Sequence, residues 1–174
     1  MRIYLVGYMY SGKSTVGRRL ARALGMRFVD TDALFEERYH TTIPLFFHRY
    51  DEAAFRQLER QVLHTTAEMD DVVVATGGGT PCHADNMDWI NAHGMSIHLD
   101  VPVTCLLQRA AVSRHARPLL AEMSDEEREA HIRRQLAERR PFYSQAHQRI
   151  ETDNPDIQAL ALRLTALTQN VTKT

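Results

Sequence analysis

Apolar and polar positions along this chain follow two periods, and the switches between them mark out its elements. Arg2-Ile3-Tyr4-Leu5-Val6 is a short apolar run that reads as a buried strand. Ser14 to Leu24 then puts Val16, Leu20, Ala23 and Leu24 on one helical face, with Gly25 placed to end the helix in the left-handed conformation. Arg27-Phe28-Val29 reads as a second strand, and Ala33 to Tyr39 as the helix after it. Ile43 to Phe47 reads as a short helix with Pro44 at N1. Glu52 to Glu68 reads as a longer helix with Phe55, Leu58, Val62 and Leu63 on its inner stripe. Val72-Val73-Val74-Ala75 has the β-branched character of a central strand. Asp85 to His93 reads as a helix closing at Gly94, its Met87, Trp89 and Ile90 fitting a packed face, and Met95 to Leu99 as a fourth strand. Pro102 to Val112 continues as a helix, and Ser113 to Met123 breaks the period. Ser124, followed by three acids, opens a helix expected to stop at Arg140, because Pro141 follows. Gln148 to Ile150 reads as a fifth strand, and Ile157 to Leu167 as a closing helix with a frayed tail. Strands alternating with helices predict a parallel sheet covered on both faces.

The chain has 174 residues, enough for one domain with a real core. Its 21 Lys and Arg nearly balance 22 Asp and Glu, so bulk charge argues against nucleic acid or a membrane surface as partner. Two cysteines, Cys82 and Cys105, make no disulfide framework, and no apolar run approaches a membrane span. The apolar start gives way at once to a glycine-rich loop, unlike a signal peptide, so the expected location is the cytoplasm.

The chemistry begins at Gly7-Tyr8-Met9-Tyr10-Ser11-Gly12-Lys13-Ser14, which fits the phosphate-binding pattern G-x-x-x-x-G-K-[ST] between a strand and a helix. Such a loop turns its amides inward at an anion, and the helix N-terminus adds partial positive charge. Lys13 can reach the outer phosphates, and the Ser14 hydroxyl can ligate Mg2+. Only Lys13 and Lys173 are lysines, against nineteen arginines. A compact point charge therefore stands where phosphate is expected.

A second set of groups follows the strand ends. Asp30 and Asp32, one residue apart, can help hold Mg2+ and accept a hydroxyl proton, or can cap the following helix. Gly77-Gly78-Gly79 follows the central strand, where three adjacent glycines suit a main chain brought close to a ligand. Arg56 has Glu59 one turn on to hold it. Arg114 to Leu120 has the look of a lid, with Arg117 placed to stabilise transferring charge. Arg139 and Arg140 are adjacent cations before Pro141. The nine histidines show no metal-ligand spacing and read as structural or exposed; Cys82 reads as a small core hydrophobe.

Over nearly its whole length the chain resembles the shikimate kinases, small P-loop proteins built like nucleoside-monophosphate kinases. Gly7 to Thr15 resembles that family's nucleotide loop, Asp30-Thr31-Asp32 its Asp-x-Asp, Phe55-Arg56 with Glu59 its Phe-Arg-x-x-Glu element. Thr76 to Gly79 resembles its Thr-Gly-Gly-Gly, Arg117-Pro118-Leu119-Leu120 its lid, and Glu138-Arg139-Arg140-Pro141 its second arginine element. The resemblance implies a three-layer α/β/α P-loop kinase fold with a five-stranded parallel sheet of order 2-3-1-4-5 and a mobile lid. It implies one domain, residues 1–174, with substrate-binding helices at about 31–60 and the lid at about 112–124.

The implied activity is transfer of phosphate from ATP to the 3-hydroxyl of shikimate, with Mg2+, on the route to chorismate and the aromatic amino acids. The implied nucleotide site is Gly7, Tyr10, Ser11, Gly12, Lys13, Ser14, Thr15 and Arg117. Shikimate falls to Asp32, Arg56, Gly77, Gly78, Gly79 and Arg139, and the metal to Ser14 and Asp30. Lys13, Asp32 and Arg117 are the implied catalytic residues of a monomeric enzyme. Three features depart from the pattern. Tyr10 fills a position that is usually small, the loop Glu151 to Pro155 lacks the arginine often found against adenine, and Arg140 competes with Arg139 for the carboxylate. The alternatives are another small-metabolite kinase, such as a gluconate kinase, and a nucleotide-binding module without catalysis.

Overall fold

The computed structural model describes residues 1–112 and 123–171. Five parallel strands form one sheet: β1 (Arg2–Val6), β2 (Arg27–Asp30), β3 (Val72–Ala75), β4 (Met95–Leu99) and β5 (Gln148–Ile150). Their order is β2-β3-β1-β4-β5, as the family resemblance implied. β1 is central, pairing Tyr4 with Val74 on one side and with Ser96 on the other. Eight α-helices accompany the sheet among the described residues. They are α1 (Lys13–Leu24), α2 (Thr31–Tyr39), α3 (Ile43–Arg49), α4 (Glu52–Thr65), α5 (Asn86–His93), α6 (Val103–Val112), α7 (Asp125–Tyr143) and α8 (Ile157–Val171). None is long and apolar enough to cross a membrane.

Alternation along the strands builds two cores. Ile3, Leu5, Val73, Ile97 and Leu99 face α1 and α8. Tyr4, Val6, Val72 and Val74 face α4 and α5. Parallel strands covered on both faces are continuously apolar for this reason, and all four residues of β3 are buried. A third cluster of Phe35, Phe46, Phe55 and Val62 binds α2, α3 and α4 into a unit beside the sheet. Its rings meet at 5.0–5.3 Å around Phe35, so each contributes about 2 kcal/mol of burial plus edge contacts. This unit carries Asp32 and Arg56.

Several expected boundaries shift, each for a local reason. Asp30 accepts a hydrogen bond from the Asp32 amide at 3.0 Å, so α2 starts at Thr31, before Ala33. Thr42 is the N-cap of α3, which puts Pro44 at N2 rather than N1. α4 ends at Thr65 because the hydroxyls of Thr65 and Thr66 donate to Val62 O and Leu63 O, and a 3-10 turn replaces the last residues. On α4 the buried stripe includes Glu59, while Leu58 is only half-buried. On α1 the buried small residue is Ala21, not Ala23. Trp89 is half-buried, stacked between the His64 and His93 rings at 4.5 and 4.0 Å. α8 continues past Leu167 to Val171.

The largest departure is at Pro141, which lies inside α7 rather than ending it. Ser124 and Glu127 form a reciprocal capping box at its start. Near its end a proline removes only one amide bond, and Ser144 still donates to Arg140 O at 2.9 Å. Tyr143 is almost fully buried and its hydroxyl reaches Gly78 O, so tertiary contacts hold the last turn.

Candidate active site

In an open α/β sheet a ligand crevice forms where successive connections leave in opposite directions from the strand ends. Here that point lies beyond β1 and β3, and the glycine-rich loop and the triple glycine both begin there.

The loop after β1 is shaped by what glycine permits. Gly7 has φ +143°, and a Cβ there would stand 2.8 Å from Leu99 O. Gly12 precedes α1 with no side-chain cap, and the first turn carries no acid, so its leading amides stay available to an anion. Lys13 is buried at 8% exposure and donates to Gly7 O and Tyr8 O, both at 2.8 Å. Ser14 Oγ donates to Asp30 Oδ2 at 2.6 Å, which joins the loop to the end of β2. Ser11 is buried with an Oγ that has no partner, and Thr15 is exposed on the first turn of α1. Tyr10 adopts φ +65°, which costs a non-glycine residue about 1 kcal/mol. Arg109 of α6 holds it there, donating to Tyr10 O at 3.1 Å and to Asp153 O at 2.9 Å.

A cleft beside the loop gathers the second set of groups. It is lined by Asp32, Arg56, Gly77, Gly78, Gly79 and Arg139, together with Met9, Phe47, Phe55 and Glu59. The need for three glycines is specific at each position. A Cβ at Gly77 would meet Asp32 Oδ1 at 2.8 Å and Thr80 Oγ1 at 2.7 Å. At Gly78 it would meet the Met9 amide of the phosphate loop at 3.0 Å. At Gly79 it would meet the Arg56 guanidinium at 2.8–3.1 Å. The same close approach makes the phosphate loop and the cleft neighbours with one shared wall.

Glu59 organises the arginine. It is 4% exposed, accepts from Arg56 Nη1 at 2.8 Å and from Thr80 Oγ1 at 2.6 Å. Glu52 adds a second acceptor for Arg56 at 3.0 Å. Burial pulls the Arg56 pKa down, but these two carboxylates outweigh it and leave the value above normal, so the guanidinium stays charged. Arg139 faces the same cleft, its guanidinium 5.4 Å over the Tyr8 ring and its Nη1 buried without a hydrogen-bond partner. Arg140 points elsewhere and is exposed. The Tyr143 hydroxyl donates to Gly78 O at 2.5 Å, and burial raises its pKa, which keeps it a donor. Cys82 is half-buried beside this cluster rather than in a core, and burial pushes its thiol up to about 11, which leaves it unreactive.

Every site residue expected from the sequence and described in the structure lies in the loop, the first turn of α1, the Ser14–Asp30 junction or this cleft. Arg117, expected on the lid, lies outside the described residues. Sequence reasoning missed Met9, Phe47, Thr80, Arg109 and Tyr143. Thr80 directly follows the triple glycine, which is a usable signal. Arg109 and Tyr143 reach the site only through packing of α6 and α7, and local sequence holds no sign of it.

Residues 9–169 match the shikimate kinase family model. The shikimate kinase of Phocaeicola vulgatus is 47% identical over 152 residues, 87% of each chain. The crystal structure of the shikimate kinase from Bacteroides thetaiotaomicron superposes with a TM-score of 0.89 at 39% identity, covering 97% of this chain and 98% of that one. The Acinetobacter baumannii shikimate kinase in complex with shikimate superposes at 0.83 with 38% identity, covering 97% and 93%.

Proposed function

The chain belongs to the shikimate kinase family, and we propose on that premise that it transfers the γ-phosphoryl group of ATP to the 3-hydroxyl of shikimate, releasing ADP and shikimate 3-phosphate. This is a step of aromatic amino acid biosynthesis. One observation carries the reading. Two guanidinium groups, Arg56 and Arg139, line a cleft with Asp32, and that cleft shares a wall with the phosphate loop. Arginine forks suit a carboxylate, a lone aspartate suits a hydroxyl, and the loop suits the donor's phosphates. A ring bearing both carboxylate and hydroxyls satisfies all three at once.

In this mechanism Arg56 and Arg139 bind the shikimate carboxylate. Glycines 77–79 let the ring lie against the main chain, and Asp32 orients the 3-hydroxyl. As the new oxygen–phosphorus bond forms and the bond to ADP breaks, the hydroxyl proton passes to Asp32. Lys13 exchanges its two loop carbonyls for phosphate oxygens, and the loop amides share the remaining charge. Arg117, outside the described residues, is assigned by the family resemblance to stabilising the charge on the transferring group. Ser14 Oγ and Asp30 Oδ2, 2.6 Å apart, are hard oxygen donors of the kind Mg2+ takes together with phosphate oxygens and waters. Bound there, Mg2+ would neutralise developing phosphate charge. We read the enzyme as a monomer acting in the cytoplasm, where ATP is supplied.

A coupled ADP-release assay tests the function. ADP should appear with ATP and shikimate together, and not with ATP alone or with gluconate. Release without shikimate, or none at all, rejects the reading. The cleft geometry has its own test in Gly79→Ala. The added methyl must displace the Arg56 fork, so the KM for shikimate should rise about tenfold or more while that for ATP holds. An unchanged KM for shikimate would separate Arg56 from substrate.

A further inference from the structure

A second cavity, of about 520 Å3, opens between the C-terminal end of β4, the start of α6, α7 and β5. Ligand sites commonly have this size. It shares no lining residue with the acceptor cleft. Its floor is apolar, made by Val101, Pro102, Val103, Leu136 and Ala137. Its rim carries Arg133, Arg140 and Arg149, with Asp100 as the one acid among the lining residues.

The three arginines are not equivalent. Arg149 is bound by Asp100 at 2.8 Å and by Glu151 at 2.7 Å. Arg133 is bound by Glu129 at 2.6 Å. The Arg140 guanidinium has no hydrogen bond or ion pair among the described residues, so its fork stands open at the mouth of an apolar pocket. At the inner wall, His98 is 7% exposed and its Nδ1 has no hydrogen-bond partner. A buried polar atom left unpaired marks a place where a ligand or water belongs. The Cδ2 edge of the same ring faces Gly7, so Nδ1 lies on the edge away from the phosphate loop.

We propose that this cavity binds a small organic carboxylate with a flat apolar body, its carboxylate on Arg140 and its body on the Val101–Leu136 floor. One open guanidinium matches one carboxylate in bidentate fashion. A phosphate, with more acceptors, would lack donors here because the other two arginines are already paired. The apolar floor excludes a fully hydrated anion for the same reason that burying unpaired charge is costly.

Calorimetric titration of the full chain with 2-naphthoate tests this, with saturating shikimate and ADP present to fill the active site. Binding should appear with a Kd of about 1 mM or tighter, as ligands of this size allow. Its neutral counterpart 2-naphthamide should bind at least about tenfold more weakly, as should 2-naphthoate to Arg140→Gln. That variant should keep kcat and the shikimate KM within about twofold, since an exposed residue is replaced. The proposal is overturned if no binding is seen, if shikimate and ADP abolish it, or if the amide or the variant binds equally well.

Discussion

Lys13→Ala should lower kcat by about a thousandfold while leaving the KM for shikimate nearly unchanged. The magnitude follows from removing one preorganised positive group from a transition state whose charge spreads over phosphate oxygens. The direction of the KM effect follows from position, because Lys13 belongs to the phosphate loop and the residues lining the acceptor cleft do not include it. The substitution also strips a donor from Gly7 O and Tyr8 O, which should cost stability by about 1–3 kcal/mol. A melting curve measured beside the kinetics separates that loss from the chemical one. Lys13→Arg should not restore turnover, because a planar fork cannot occupy the volume of a compact ammonium held by two carbonyls. Near-normal steady-state rates in Lys13→Ala would remove the lysine from the reaction.

Arg56→Ala should raise the KM for shikimate about a hundredfold or more and alter that for ATP by less than about twofold. Two costs are combined in this variant. The substrate carboxylate loses a bidentate partner, and Glu59, with its side chain only 5% exposed, loses its counter-ion. An uncompensated buried carboxylate is strongly destabilising. Adding Glu59→Gln to Arg56→Ala should recover melting temperature but not the shikimate KM. Recovery of both would mean that Arg56 matters only as the partner of Glu59. Equal changes in the two Michaelis constants would show that it does not clamp substrate.

Much of this arrangement was legible in the chain itself, and the reason is that the relevant signals are local. A glycine loop between an apolar run and an amphipathic helix needs only a dozen residues to specify it. β3 matched its expected limits because a strand buried on both faces leaves no polar interruption to blur it. Asp30 illustrates where local reading stops. Its position admits a metal ligand or a helix cap, and the structure gives it both neighbours, the Asp32 amide and the Ser14 hydroxyl. The choice between Arg139 and Arg140 is similar. They are adjacent in sequence, and the direction of α7 alone turns one into the acceptor cleft and the other to the second cavity.

What the sequence determined by itself was the kind of sheet and the phosphate loop, because periodicity and short motifs act over a few residues; the carboxylate-bearing acceptor came from the resemblance to the shikimate kinases. What the tertiary structure decided was which distant groups share a wall. Gly78 lies against Met9 and under the hydroxyl of Tyr143, and Arg109 ties Tyr10 to the loop at Asp153. Proline at 141 should have ended a helix on local grounds. The burial of Tyr143 and its bond to Gly78 outweighed one missing amide, since packing energy is collected over the whole molecule and propensity over a single turn.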